Sequence, residues 1–293
     1  MDVLIVNPCG STGEIVARSL EAHGVSTSIM KGPNARKMPD FYIRALHRAV
    51  EETGAKMILP IFFPEVLSAR RDEFRDVIIP LESAEKLVLL DNKISACRLA
   101  DSLGIPQPRI YGDPDDVRIF PTVFKRPTGL GGDSVYFPKT RKALDNILKT
   151  APDFLIQDFI EGENVCVDAL RWDGFFYAAA YRVLDTRLKG VSLRRESIVA
   201  PQLAEYARMI LDAVDYHGVC GVDFRMERGS LKPNFLECNP RFSGGLESAI
   251  ASGFDIPWLF YRLATGQSVN ASEIRFSPGI RTGQNLTPPE ARG

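Results

Sequence analysis

The stretch VCGVDFRMERGSLKPNFLECNPRFSGG, from Val219 to Gly245, constrains the fold more than any other part of this chain. Val222, Phe224 and Met226 alternate with Asp223 and Arg225, the period of a strand with one buried face. A polar turn around Gly229 and Ser230 follows, and a second strand runs from Asn234 to Asn239 and stops at Pro240. A hairpin centred near Ser230 sets Asp223 opposite Glu237 and Gly221 opposite Asn239. Side chains alternate, so Asp223, Glu237 and Asn239 share one face. Val222, Phe224, Leu236 and Cys238 fall on the other, which can pack on helices.

Facing carboxylates repel and weaken the hairpin unless something neutralises them. With an amide oxygen beside them they form a hard all-oxygen set suited to Mg2+, with Mn2+ an alternative, and to nucleotide phosphates filling the remaining positions. Arg241, just past the strand, offers a fork of donors to a phosphate, and Ser243-Gly244-Gly245 is small enough for close approach. The plainer reading is a solvated acidic edge. It leaves unexplained the clean apolar face and the arginine that ends the charged one.

The spacing Asp223…Glu237-x-Asn239-Pro240-Arg241 resembles the metal-binding signature of the ATP-grasp superfamily, and LECNPR is similar to its carbamoyl phosphate synthetase version. Three further segments carry the same resemblance. DNK…LGIPQP, Asp91 to Pro108, is similar to the opening of the ATP-grasp core, which implies that Lys93 is a phosphate ligand. A lysine at a helix start is unfavourable beside the positive dipole end unless an anion is near.

Lys125 sits in the otherwise apolar strand Phe120–Pro127, where a buried ammonium needs an anion. The following loop, Thr128-Gly129-Leu130-Gly131-Gly132, is open enough for its backbone to wrap phosphate but is not a Walker A loop. Lys125 with Gly129, Gly131 and Gly132 resembles the family's lid, which excludes water from reactive intermediates. QDFIEGENVCVD, from Gln157 to Asp168, resembles the interdomain hinge. The likeness implies backbone contacts to adenine from Asp158, Phe159 and Ile160, and a ribose contact from Glu163; strand phase favours Asn164 for the latter.

The rest of the chain is consistent with a soluble enzyme. At 293 residues, 45% hydrophobic and 25% charged, it can bury a large core in two or three subdomains. A formal net charge of -1 leaves no basic footprint for nucleic acid. No apolar run approaches the roughly 20 residues of a membrane span, and Met1-Asp2 leads straight into a strand without a signal sequence. The odd, widely spaced cysteines Cys9, Cys97, Cys166, Cys220 and Cys238 read as reduced core residues, so a cytoplasmic location is expected.

In chain order, Val3–Val6 is an apolar strand, Asn7–Gly13 a loop, Glu14–His23 a helix and Val25–Met30 a strand, a βαβ unit without GxGxxG. Tyr42–Thr53 is an amphipathic helix, Met57–Ile61 and Leu87–Leu90 strands, and Ile94–Leu103 a helix. Glu65, just past Met57–Ile61, suits either a substrate contact or a helix start. Pro201–Val214 is an amphipathic helix, and His23, His47 and His217 are structural.

The expected fold is α/β and α+β: a Rossmann-like preATP-grasp domain over 1–112, a lid over 113–190, a C-terminal subdomain over 191–276 and a tail over 277–293. The resemblance implies an ATP-dependent carboxylate–amine ligase working through an acyl phosphate on small-molecule carboxylate and amine substrates, with ATP and Mg2+. A phosphotransferase without ligation and a non-catalytic ATP-binding regulator are the alternatives, and a homodimer is left open. Arg182 and Arg194, from a short basic segment that also holds Arg187 and Lys189, are candidates to hold the acceptor carboxylate or acyl phosphate. D-Alanine–D-alanine ligases carry an arginine where this chain has Gly221, so Arg241 is expected to take part of that role. That departure argues against a D-alanine ligase.

Overall fold

The structure, a computed structural model, describes residues 2–7, 10–129, 132–150, 153–186 and 192–283. The chain opens with β1 (Val3–Val6), α1 (Thr12–Ala22), β2 (Thr27–Met30), α2 (Pro39–Thr53) and β3 (Met57–Pro60). These strands form a parallel sheet in the order β2-β1-β3. β1 and β3 are buried throughout, which is why both read as unbroken apolar runs.

Three helices lead onward: α3 (Pro64–Ser68), α4 (Ala84–Asp91) and α5 (Lys93–Ser102). The strand expected at Leu87–Leu90 is therefore wrong, since these residues lie inside α4. A short apolar run is ambiguous by period alone. What decides for helix is Ser83, whose hydroxyl accepts from the Lys86 amide at 3.4 Å. Leu87 and Leu90, three apart, are both buried on one side. Asn92 then caps α5, accepting from the Ile94 amide at 2.9 Å, so Lys93 is that helix's first residue.

A small antiparallel sheet follows, with β4 (Ile110–Tyr111), β5 (Thr122–Lys125), β6 (Val135–Tyr136) and β7 (Leu155–Asp158) in the order β4-β7-β5-β6. Helix α6 (Arg141–Leu148) covers it through Leu144, which packs with Phe124 and Ile156.

The large sheet is built from β8 (Gly162–Trp172), β9 (Phe175–Thr186), β10 (Ser192–Ile198), β11 (Gly218–Glu227), β12 (Pro233–Asn239) and β13 (Arg281–Gly283). Its order is β12-β11-β8-β9-β10-β13. One face packs on α4, α5 and α7 (Pro201–Ala213) through Val165, Val167, Val222, Phe224, Phe235 and Cys238. Towards one end of the opposite face, Leu170, Tyr181 and Val219 join β1, β3, α1, α8 (Leu246–Ala251) and α9 (Ile256–Ala264) in a second core.

Sheet topology moves the expected boundaries. Residue 190 lies between β9 and β10, which pair with each other, so the break between the two antiparallel sheets falls at residues 159–161 instead. Helices α4 and α5 pack on the large sheet and not on the N-terminal one. Within the expected tail, Arg281–Gly283 pairs with β10.

Candidate active site

The β11–β12 hairpin has the predicted register: Asp223 faces Glu237 and Gly221 faces Asn239. One detail differs. A bulge between Asp223 and Phe224 pairs Phe224 with Phe235, leaving Leu236 unpaired. Phe235 therefore takes the core position expected for Leu236, and Leu236 turns with Glu237 to line a cavity on the other face.

That cavity has a volume of about 770 Å³ and lies between the two antiparallel sheets. Asn164, Cys166 and Asp168 of β8 and Asp223 and Arg225 of β11 contribute from the large sheet. Val123, Lys125, Gln157 and the hinge residues contribute from the small one, with Thr12 and Phe62 from the N-terminal layer.

Of the two predicted lysines, Lys125 lines the cavity and Lys93 reaches its wall through Glu237. Lys93 and Lys125 are each only 5% exposed. Lys93 Nζ is 3.0 Å from Glu237 Oε2, and Lys125 Nζ donates to the Leu236 carbonyl at 3.0 Å. Burial holds the Lys125 ammonium below its ordinary pKa, since the charge has lost its hydration. Of the loop glycines, Gly132 lines the cavity with φ 80, a left-handed conformation. Gly129 is required for a different reason: a Cβ there would fall 2.3 Å from the Ser134 Cβ. Gly131 lies outside the described residues.

The acidic pair shows the tension expected of neighbouring carboxylates. Burial first, then the Glu237 charge, push the Asp223 carboxyl up to about 6. For Glu237 burial also raises the pKa, but Lys93 and then Lys125 pull harder, leaving it below the usual carboxylate range. Asn239 Nδ2 lies 3.4 Å from Asp223 Oδ2, and its amide oxygen accepts from Arg241 Nη2 at 2.8 Å. Two carboxylates are thus drawn together, a hard oxygen pair that fits Mg2+, while Asn239 turns its amide nitrogen to them and its oxygen to Arg241. Among the described residues no group of three or more His, Cys, Asp or Glu side chains offers a competing metal site.

At the hinge, Asp158, Phe159 and Ile160 line the cavity as predicted. The Asp158 side chain accepts from Tyr111 at 2.6 Å, and the Ile160 carbonyl from Arg225 Nε at 3.0 Å. Phe159 and Phe137, also in the wall, meet edge to face at 6.1 Å. Gly162 is obligatory here, because a Cβ would stand 1.8 Å from the Met226 carbonyl oxygen.

Three predicted residues are misplaced. Glu163 points away from the cavity, its side chain 63% exposed and 3.3 Å from Arg182 Nε. Strand alternation puts Asn164 in the wall instead, where Arg225 Nη1 donates to its oxygen at 2.8 Å. Arg182, 45% exposed beside Glu163, is outside for the same reason. Arg194 pairs with Asp185 at the sheet surface. Its neighbour Arg195 enters the cavity, packed so closely on Gly245 that a Cβ there would lie 1.6 Å from its Nη1. Arg187 and Lys189 lie outside the described residues.

Sequence reasoning named Asn164 only as the alternative that strand phase favours, and it missed Cys166, Asp168 and Arg195. The first three alternate with Val165, Val167 and Ala169, all in the core, so the period that located Asp223 was present here too. The histidines are structural as expected. His217 Nδ1 is 2.8 Å from Glu82, His23 stacks on Trp258 and His47 on Phe74.

Two antiparallel sheets close on this cavity, with Lys125 from the small sheet and the acidic hairpin from the large one. The fold is an ATP-grasp fold, and residues 150–286, just under half of the chain, match the family model described as ATP-grasp in the biosynthetic pathway with Ter operon. Biotin carboxylase from Campylobacter jejuni, in a β,γ-ATP complex, superposes with a TM-score of 0.76 at 18% identity, covering 94% of this chain and 73% of its own. L-amino acid ligase from Bacillus licheniformis gives 0.72 at 12% identity, with coverage of 94% and 77%. N5-carboxyaminoimidazole synthase from Aspergillus clavatus, in complex with ADP and 5-aminoimidazole ribonucleotide, gives 0.71 at 14%, with coverage of 94% and 79%. These likenesses concern the fold. No curated protein matches the sequence. Among the described residues no helix is long and apolar enough to cross a membrane.

Proposed function

We propose that the chain is an ATP-dependent ligase that joins a small carboxylate to an amine through an acyl phosphate, releasing ADP and phosphate. The observation that carries this reading is that Lys125, Asp223 and Glu237 line one cavity, with Lys93 paired to Glu237 behind its wall. The mixed α/β ATP-grasp fold supports it, as does the presence of an amino acid ligase and a carboxylase among the similar structures.

In this reading the N-terminal parallel layer is the preATP-grasp domain, and the small sheet from about residue 106 to 158 is the lid. Phe159 and the hinge backbone hold the base, and Asn164 faces the ribose. Lys125 and Lys93 bind the triphosphate, with Gly132 allowing the lid backbone to approach it. Asp223, Glu237 and Asn239 would hold Mg2+, which when bound would supply positive charge beside the transferred phosphoryl group. Arg241 and Arg195 orient the anionic acyl phosphate. The amine nitrogen, having shed a proton, bonds to the acyl carbon as the carbon–oxygen bond to phosphate breaks. No protein nucleophile is needed.

ADP release tests this reading. The purified chain with MgATP is screened against amino acids and small dicarboxylates, each with a panel of amines. Steady ADP production that requires both a carboxylate and an amine is expected. Turnover without an amine would instead indicate simple phosphoryl transfer.

A further inference from the structure

Asp168 sits in the floor of the cavity and has no part in the scheme above. It is 3% exposed, and its Oδ2 is buried with no hydrogen-bond partner among the described residues. A buried carboxylate oxygen left without a partner costs on the order of a few kcal/mol. A fold does not place one beside a nucleotide-sized cavity for stability. Burial raises its pKa, while Arg195 and then the Ser243 hydroxyl act in the opposite direction.

The surroundings keep this carboxylate reachable. Asp168 lies directly across from Gly221 on β11, and even a bare Cβ at 221 would come within 3.7 Å of Asp168 Oδ1 and 3.5 Å of the Ser243 Cβ. Any longer side chain would grow across the carboxylate. Asp168, Gly221, Ser243 and Arg195 all line the cavity. Asp223, two residues along β11 from Gly221, feels the charges of both Asp168 and Arg195, whereas Glu237 is tied to Lys93 and Lys125.

We propose that Asp168 recognises the cationic end of the amine substrate, which therefore binds as a primary ammonium with its nitrogen held in the pocket under Gly221. The inference rests on the ligase reading and specifies its second substrate: a compact ammonium compound, in preference to a neutral amide donor or ammonia released elsewhere. Arg195, attracting Asp168 and facing the same cavity, brings the acyl phosphate to the same place.

The test uses the carboxylate–amine pair that gives the most ADP in the screen above and compares wild type with Asp168→Asn. The variant keeps shape and removes charge. The KM for the amine is expected to rise about 10- to 100-fold, the range for a lost charge-assisted contact. MgADP affinity and melting temperature should not fall. Hydroxylamine, small and uncharged at neutral pH, needs no ammonium pocket, so hydroxamate formation should be the same in both proteins. Gly221→Leu, which covers the carboxylate without altering it, should reproduce the amine-specific defect and serves where Asp168→Asn is unstable. An unchanged amine KM in both variants, or hydroxamate formation falling in step with amine turnover, overturns the proposal. A wild type that forms neither hydroxamate nor ADP with any pair overturns the ligase reading itself, and this inference with it.

Discussion

Lys93 Nζ lies 3.0 Å from Glu237 Oε2, joining the first residue of α5 to the acidic hairpin. In the proposed function Lys93 serves phosphate and Glu237 serves metal, so this pair sets the two roles against each other. Glu237→Gln should release Lys93, so ADP affinity measured without metal is expected to hold or rise. Metal-dependent turnover should nevertheless fall by at least about 100-fold, as when an electrostatic contact to the transition state is removed. Calorimetry and an ADP-release assay check the two halves.

Asp223 gives a pH signature. Its folded-state pKa, about 6, lies above the ordinary 3.8, so the folded chain keeps a proton that the unfolded chain gives up between those values. The stability this group confers is present at low pH and is lost as pH rises through about 6. Metal-free wild type should therefore lose more melting temperature between about pH 5 and pH 7.5 than Asp223→Asn does. Mg2+ should restore the difference in wild type only. Glu237, displaced in the opposite direction, is common to both proteins and drops out of the comparison.

Asn164 and Glu163 are adjacent in sequence and face opposite sides of β8. Asn164→Ala is expected to weaken ATP binding by about 10-fold, one hydrogen bond in a buried site. Glu163→Ala loses only an exposed pair with Arg182 and should change ATP affinity by less than about 2-fold. Equilibrium binding of ATP to the two variants separates the alternatives.

Gly245 accommodates the Arg195 guanidinium. Gly245→Ala should displace it and, with the arginine still present, reproduce the loss of turnover seen in Arg195→Ala. Arg194→Ala removes only the surface pair with Asp185 and should stay within about 2-fold of wild type. ADP release by the three variants tests the assignment.

Period and spacing were enough to place the hairpin, its register, the acidic pair and Lys125, because each combines a strand pattern with a charge that burial makes costly, whereas Lys93 was singled out by its place at a helix start and by resemblance. The errors are just as physical. Leu87 to Leu90 is too short and too uniformly apolar to reveal its period, and only the Ser83 cap declares a helix. The bulge that exchanges Leu236 for Phe235 follows from packing across three strands, which a single sequence does not display. Glu163 was preferred for its charge, yet strand phase, a geometric property, favoured Asn164. Arg195 was passed over for Arg194 because β10 pairs irregularly with β9 around those residues, so alternation cannot be counted through them.

Lys125 is moored to the main-chain oxygen of Leu236, not to any side chain. Replacement of that leucine can reshape the pocket wall without cutting the mooring, since every residue type supplies the same oxygen. Substrate preference at this wall is therefore free to drift in evolution, or under an engineer's hand, while the grip on the phosphates stays put.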